Sequence, residues 1–203
     1  MAGSETSIEN LSFSIETFSE ALAEKKCEHF LFFGSLLGIV RENSPIKGDD
    51  DVDFYVNKKH YRKVVCLLRD MGVNIDYNNY PNDSGWFIQV QNTINGREIR
   101  VDFYFYDADT DENFILEYWN FTGSPENTDL VLKIPKPLLY PIRHIEYRSC
   151  NINIPQHPII VCEFLYGINW RTPQRKGLDY GMTTLGGRPL RFFSKGNNMS
   201  LLP

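Results

Sequence analysis

The segment Gly48-Asp49-Asp50-Asp51-Val52-Asp53-Phe54-Tyr55-Val56 constrains this chain more than any other, because it joins two features that normally exclude each other. Four carboxylates fall within five positions, and large apolar residues follow at once. A solvated acidic turn is normally followed by more polar residues; here the continuation reads as a buried strand. Side chains alternate across a strand, so Asp51 and Asp53 face one side while Val52 and Phe54 face the other. Two like charges at the entrance to a buried strand are costly to remove from water without a partner. A cation is the natural partner, and hard oxygen ligands that share their ion with phosphate favour Mg2+ or Mn2+. The run is not an EF-hand loop, since the glycine and the terminal glutamate are missing at the required offsets.

A third carboxylate is expected from a neighbouring strand. Asp102 supplies it, a lone acid inside Arg100-Val101-Asp102-Phe103-Tyr104. It is read either as a metal ligand or base, or as a buried acid paired with Arg97 or Arg100. Asp49 falls on the Asp51 face if the strand begins early and would then serve a second metal position. Asp50 points the other way and is left to capping or pairing.

Upstream, His29 to Phe33 reads as a short buried strand ended by Gly34, and Ser35 to Glu42 as a short helix opening at Gly34-Ser35. Glycine at such a junction lets backbone N–H groups approach a phosphate, and the helix start adds a favourable dipole. Gly34 and Ser35 are therefore candidates for phosphate contact.

Ile8, Leu11, Phe18, Leu22 and Ala23 recur near helical spacing, which predicts a helix over about 7–27. Tyr61, Val64, Val65, Leu68 and Met71 predict another, stopped by Gly72. Two β-rich runs flank Asn95-Gly96, a strong hairpin signal. Residues 108–156 carry short strand-like pieces, Leu130 to Ile134 and Asn151 to Ile154; an apolar helix is expected over 158–166, and loop from Thr172. The expected fold class is α+β, a mixed or antiparallel sheet flanked by helices. Residues 1–107 would form the core with the metal site, and 108–203 an extension completing the same domain.

The formal net charge of −5 over 203 residues argues against a general nucleic-acid binder. No apolar run approaches a membrane span, and the N-terminus has no basic region followed by an apolar one. A cytoplasmic location and no integral membrane segment are the expectations. Cys27, Cys66, Cys150 and Cys162 show no CxxC spacing and are read as buried thiols. Asn-x-Ser/Thr triplets at Asn82, Asn120 and Asn198 are discounted as glycosylation sites on the same ground.

Strand, Gly-Ser, short helix, Asp-x-Asp on the next strand and a third aspartate on a later one together resemble the nucleotidyltransferase superfamily fold. The stretch from Gly34 to Val56 is more closely similar to the LicD family, which typically reads Gly-Thr/Ser-Leu-Leu-Gly-x-x-Arg, a proline-bearing loop, then Asp-Asp-Asp-Ile/Val-Asp. The matching positions are Gly34, Ser35, Leu36, Leu37, Gly38 and Arg41, then Asp49 to Asp53. Tyr166 to Pro173 resembles a second family signature, Tyr-Gly-x-Asp/Asn-Trp-x-x-Pro, so the likeness runs from about Leu22 to Arg175. Lys47-Gly48 departs from the Pro-Trp often found before the triple aspartate, and residues 108–156 carry no match. The resemblance implies Mg2+- or Mn2+-dependent transfer of a phospho-alcohol, such as phosphocholine or ribitol phosphate, from a CDP-linked donor. The acceptor would be a sugar hydroxyl of a glycan or lipid-linked saccharide, and CMP would be released. Nucleotidyl transfer from an NTP, or a catalytically silent binding module, are the alternatives. Within that frame Arg41 either reaches the diphosphate or pairs with an aspartate. Trp170 and Tyr166 either stack on a base or acceptor, or close the core. Arg171, Arg175 and Lys176 either attract an anionic acceptor or form a solvated face. His29, His60, His144 and His157 receive no role.

Overall fold

Asn95 and Gly96 both take positive φ, 51° and 77°, the geometry whose twist matches that of paired strands. They fold β4 (Phe87–Ile94) antiparallel onto β5 (Arg97–Tyr106), as the Asn-Gly signal predicts. The computed structural model describes residues 6–78, 87–117 and 132–173, and the backbone of 118–119, 130–131, 184–185, 188–189 and 192–194. Asn82, Asn120, Asn198, Arg175 and Lys176 lie outside the described residues.

The central sheet has five strands. β1 (His29–Leu31) lies antiparallel to β2 (Val52–Asn57), β2 runs parallel to β5, and β4 and β3 (Tyr77–Asn78) continue antiparallel beyond it. The sheet is thus mixed, and helices cover both faces. On one face Val52, Phe54 and Val56 of β2 and Val101, Phe103 and Phe105 of β5 meet α1 (Ile8–Glu24) and α3 (Tyr61–Asp70). On the other, Tyr55 and Tyr106 join Phe30, Phe32, α2 (Phe33–Glu42) and α5 (Pro158–Tyr166) in a second core. Both faces of β2 are buried, so its sequence shows no apolar–polar alternation beyond Asp53.

Helix α1 starts at Ser7, whose hydroxyl accepts from the Asn10 N–H at 3.2 Å. Its buried line is Leu11, Ile15, Phe18 and Leu22; Ala23, expected on that line, is exposed. Of the cysteines, Cys27, Cys150 and Cys162 are buried free thiols, whereas Cys66, expected inside, is exposed on α3.

Beyond β5, β6 (Phe114–Trp119) and β7 (Leu130–Pro135) pair antiparallel. α4 (Lys136–Leu139) follows, and then a hairpin of β8 (Arg143–Tyr147) and β9 (Cys150–Ile154) that packs on α1 and β1. The tail, expected to be loop, instead contributes a strand at Phe192–Ser194 on the edge of β7 and a two-strand pairing of Thr184–Leu185 with Arg188–Pro189. Gly186-Gly187 between those two runs is a hairpin signal.

Glu28 ties the C-terminal end of β2 together. It accepts from Tyr140 Oη at 2.6 Å, Tyr106 Oη at 2.8 Å, Lys59 Nζ at 2.8 Å and Asn57 Nδ2 at 3.1 Å. Burial alone would raise its pKa, but these donors outweigh burial and pull it down to about 2.

Helix α2 ends with Asn43 in the left-handed region (φ 50°), and the following loop closes tightly on the helix. A Cβ on Gly38 would lie 2.6 Å from the Ser44 carbonyl oxygen and 2.9 Å from the Ile46 nitrogen, both backbone atoms. Gly38→Ala is therefore expected to destabilise the chain by about 1–3 kcal/mol, read as a drop of about 2–4 °C in melting temperature for each kcal/mol. An unchanged melting temperature would show that the loop yields freely.

Candidate active site

Strand alternation puts Asp53 and Tyr55 on the face opposite Val52 and Phe54, and the parallel register sets Asp53 directly beside Asp102. Asp102 in turn alternates with Val101 and Phe103, which belong to the first core. Asp51 immediately precedes β2. One carboxylate oxygen from each of Asp51, Asp53 and Asp102 can be chosen so that all lie within 4.8 Å of one another, and the same holds for Asp49, Asp50 and Asp51. Asp49, Asp53 and Asp102 are buried, at 7%, 6% and 4% exposure, so water does not screen their repulsion.

The carboxyl of Asp53 is pushed well above the usual aspartate range, first by burial and then by Asp51, Asp49 and Asp102. Asp102 is pushed up by burial and by Asp51, with Gln89 pulling the other way. The largest influences on both are burial and the neighbouring carboxylates. Clustered carboxylate oxygens are the ligand type that a hard divalent cation takes, so this cluster could hold one. Of the two arginines weighed as structural partners for Asp102, Arg100 pairs with Glu98 at 2.8 Å, and the Arg97 guanidinium covers the Phe13 ring at 5.1 Å.

Three elements hold the cluster. Ser35 at the start of α2 locks onto β2: its Oγ accepts from the Asp53 N–H at 2.8 Å, and its own N–H donates to Asp53 Oδ2 at 3.4 Å. The strand expected through Phe33 stops at Leu31. Phe32 still donates its N–H to the Asp53 carbonyl at 3.1 Å, but Phe33 turns with φ 41° and begins the helix. For a bulky residue that conformation is strained, at about 1–3 kcal/mol, and it is what brings Ser35 under Asp53. The Phe32 ring stacks on Tyr55 at 4.1 Å and holds the turn in place.

At Gly34 a Cβ would stand 2.8 Å from Asp49 Oδ2 and 3.5 Å from Asp53 Oδ2. The missing side chain is thus what admits both carboxylates beside the helix start. The acidic loop is also tied from the N-terminal side. Thr6 donates its N–H to the Asp49 carbonyl at 3.0 Å and its hydroxyl to the Asp50 carbonyl at 2.9 Å. No sequence pattern marks Thr6. Gln89, also unmarked in the sequence, donates from Nε2 to Asp102.

Gly34, Ser35, Asp49, Asp51, Asp53 and Asp102 therefore come together. Arg41 and Trp170 have other surroundings. The Arg41 side chain is mostly buried and pairs with Glu42 at 2.7 Å rather than with an aspartate. Trp170 is 4% exposed in the second core, where the partly buried Tyr166 also packs, and the Arg171 guanidinium covers its ring at 4.3 Å. A groove of about 660 Å3 lies at the other end of β2, lined in part by Glu28, Lys59, His60, Tyr140 and His144, so it is not the pocket of the carboxylates.

Among the described residues no helix is long and apolar enough to cross a membrane. Nine chains of solved structures match this one. One is the lincosamide antibiotic adenylyltransferase LnuA in its lincomycin-bound form, with a TM-score of 0.50 and 14% identity over 75% of this chain and 82% of that one; the likeness is one of fold. Among curated proteins none matches. The family model described as LicD/FKTN/FKRP, nucleotidyltransferase domain, matches residues 26–157, which takes in the Gly-Ser turn, the acidic loop, β2 and Asp102. On that match, and with its carboxylates gathered across β2 and β5, the chain belongs to the LicD family of nucleotidyltransferase-fold proteins.

Proposed function

We propose that this protein transfers a phospho-alcohol, of the phosphocholine or ribitol phosphate kind, from a CDP-linked donor to a sugar hydroxyl of a surface glycan, releasing CMP. The observation that carries the reading is the register pairing of Asp53 with Asp102 next to Asp51, in a chain of the LicD family. In this reading Asp51, Asp53 and Asp102 hold Mg2+ or Mn2+, with Asp49 available to a second ion. The chemistry such an ion supplies is charge neutralisation on the phosphoryl oxygens. Ser35 and Gly34 orient the carboxylates, and in this reading they contact the donor phosphate at the start of α2. Asp102 serves as ligand or as the base toward the acceptor hydroxyl. The acceptor oxygen forms a bond to the phosphorus bearing the alcohol, the P–O bond to CMP breaks, and CMP leaves with the electron pair. Residues 108–203 complete the domain on the acceptor side.

The test is product release with Mg2+ or Mn2+ from a panel of CDP-alcohols and, separately, of NTPs, in the presence of a saccharide acceptor mixture. CMP from one CDP-alcohol, lost in Asp53→Asn, is the expected result and names the donor. Pyrophosphate from an NTP would overturn the donor assignment in favour of nucleotidyl transfer. Turnover that persists undiminished in EDTA would overturn the metal assignment.

A further inference from the structure

Gln89 stands directly opposite Asp102 in the antiparallel pairing of β4 with β5, and the Asn95-Gly96 turn fixes that register. Its Nε2 donates to Asp102 Oδ1 at 3.0 Å and lies 3.4 Å from Oδ2. Its strand neighbours Ile88 and Val90 are fully buried, whereas Gln89 itself is exposed, so its side chain does not fill the core. What it does touch is a carboxylate set among the like charges of Asp51, Asp53 and Asp50. A carboxylate that meets only a like charge turns away or shares a proton; a neutral amide donor on its far side holds the oxygens in place without adding charge.

We infer that Gln89 is a positioning residue for Asp102, setting the rotamer in which Asp102 completes the cation site with Asp51 and Asp53. The inference rests on the reading of those three aspartates as the ligands. Groups that orient a metal's ligands in this way commonly govern affinity by about 10–100-fold.

The experiment is Mn2+ binding to the full chain, followed by calorimetry and by the electron paramagnetic resonance line shape of the bound ion. Melting temperatures are taken in EDTA alongside. Gln89→Leu removes the donor at similar volume, and Gln89→Ala repeats the test with a smaller side chain. Gln91→Leu, at the next outward position of β4, is the control. The expected result is Mn2+ affinity weakened about 10-fold or more in both Gln89 variants, with an altered line shape, a melting temperature in EDTA close to that of the unaltered chain, and no change in Gln91→Leu. Wild-type affinity and line shape in both Gln89 variants, with affinity lost in Asp102→Asn, would overturn the inference and leave the metal reading standing. Wild-type affinity in Asp53→Asn and Asp102→Asn alike would overturn the metal reading, and the role of Gln89 with it.

Discussion

Asp53→Asn will lower turnover by roughly 10²-fold or more and, in the metal-free protein at neutral pH, raise the melting temperature. Both effects have one cause. Burial and three neighbouring aspartates lift the folded-state pKa of Asp53 above its unfolded value. A group shifted upward stabilises the fold below its unfolded pKa, about 3.9 for aspartate, and loses that contribution as pH rises through the folded value. At neutral pH, where the unfolded side chain is fully ionised, the upward shift therefore opposes folding. Asparagine cannot ionise, is nearly the same size, and keeps an oxygen to accept from the Ser35 N–H. Stability is gained where function is lost, the trade expected of a site built on repelling charges. Thermal melts in EDTA at neutral pH, beside CMP release, check the pair of effects. A variant that melts lower yet turns over normally would mean that Asp53 is a structural acid.

Mn2+ added to 100 times its dissociation constant should stabilise the chain by about 2.7 kcal/mol, a rise of about 5–10 °C for a domain of this size. The effect is pH-dependent with a definite sign. Ions bind the deprotonated carboxylates, and the upward shifts of Asp53 and Asp102 mean that protons compete in weak acid. The Mn2+-induced rise should therefore be larger at pH 7.5 than at pH 5 and should shrink in Asp102→Asn at either pH. Equal shifts for the unaltered chain and Asp102→Asn would place the bound ion elsewhere.

The acidic entrance was legible because it breaks a local rule: neither the run of Asp49 to Asp53 ahead of Phe-Tyr-Val nor the lone Asp102 among apolar residues is explained by strand formation. The hairpin was legible because Asn-Gly takes positive φ at little cost. What stayed hidden depends on tertiary pairing. Gln89 reads as an ordinary outward strand residue until the register puts Asp102 across from it. Thr6 contacts a loop more than forty residues away. The Phe32-Phe33 pair looks like strand, and only the need to set Ser35 beneath Asp53 turns Phe33 into the first residue of a helix. Arg41 and Trp170 were drawn toward the site by family likeness, while an adjacent glutamate and the second core claim them in the fold. β6 and β8 lie in a stretch whose apolar spacing was too weak to separate strand from loop.

The parallel pairing of β2 with β5 spreads one small cluster over distant parts of the chain. A nascent chain that has emerged only as far as Ile94 carries Asp51 and Asp53 but not Asp102, and has not formed the hairpin that would seat it. Under the proposed ligand assignment, tight cation capture must wait until the sheet has closed, and metal uptake then reports completed folding. Two fragments divided within the Asn95-Gly96 turn would each carry part of the ligand set, and Mn2+ binding on mixing them would register their reassembly.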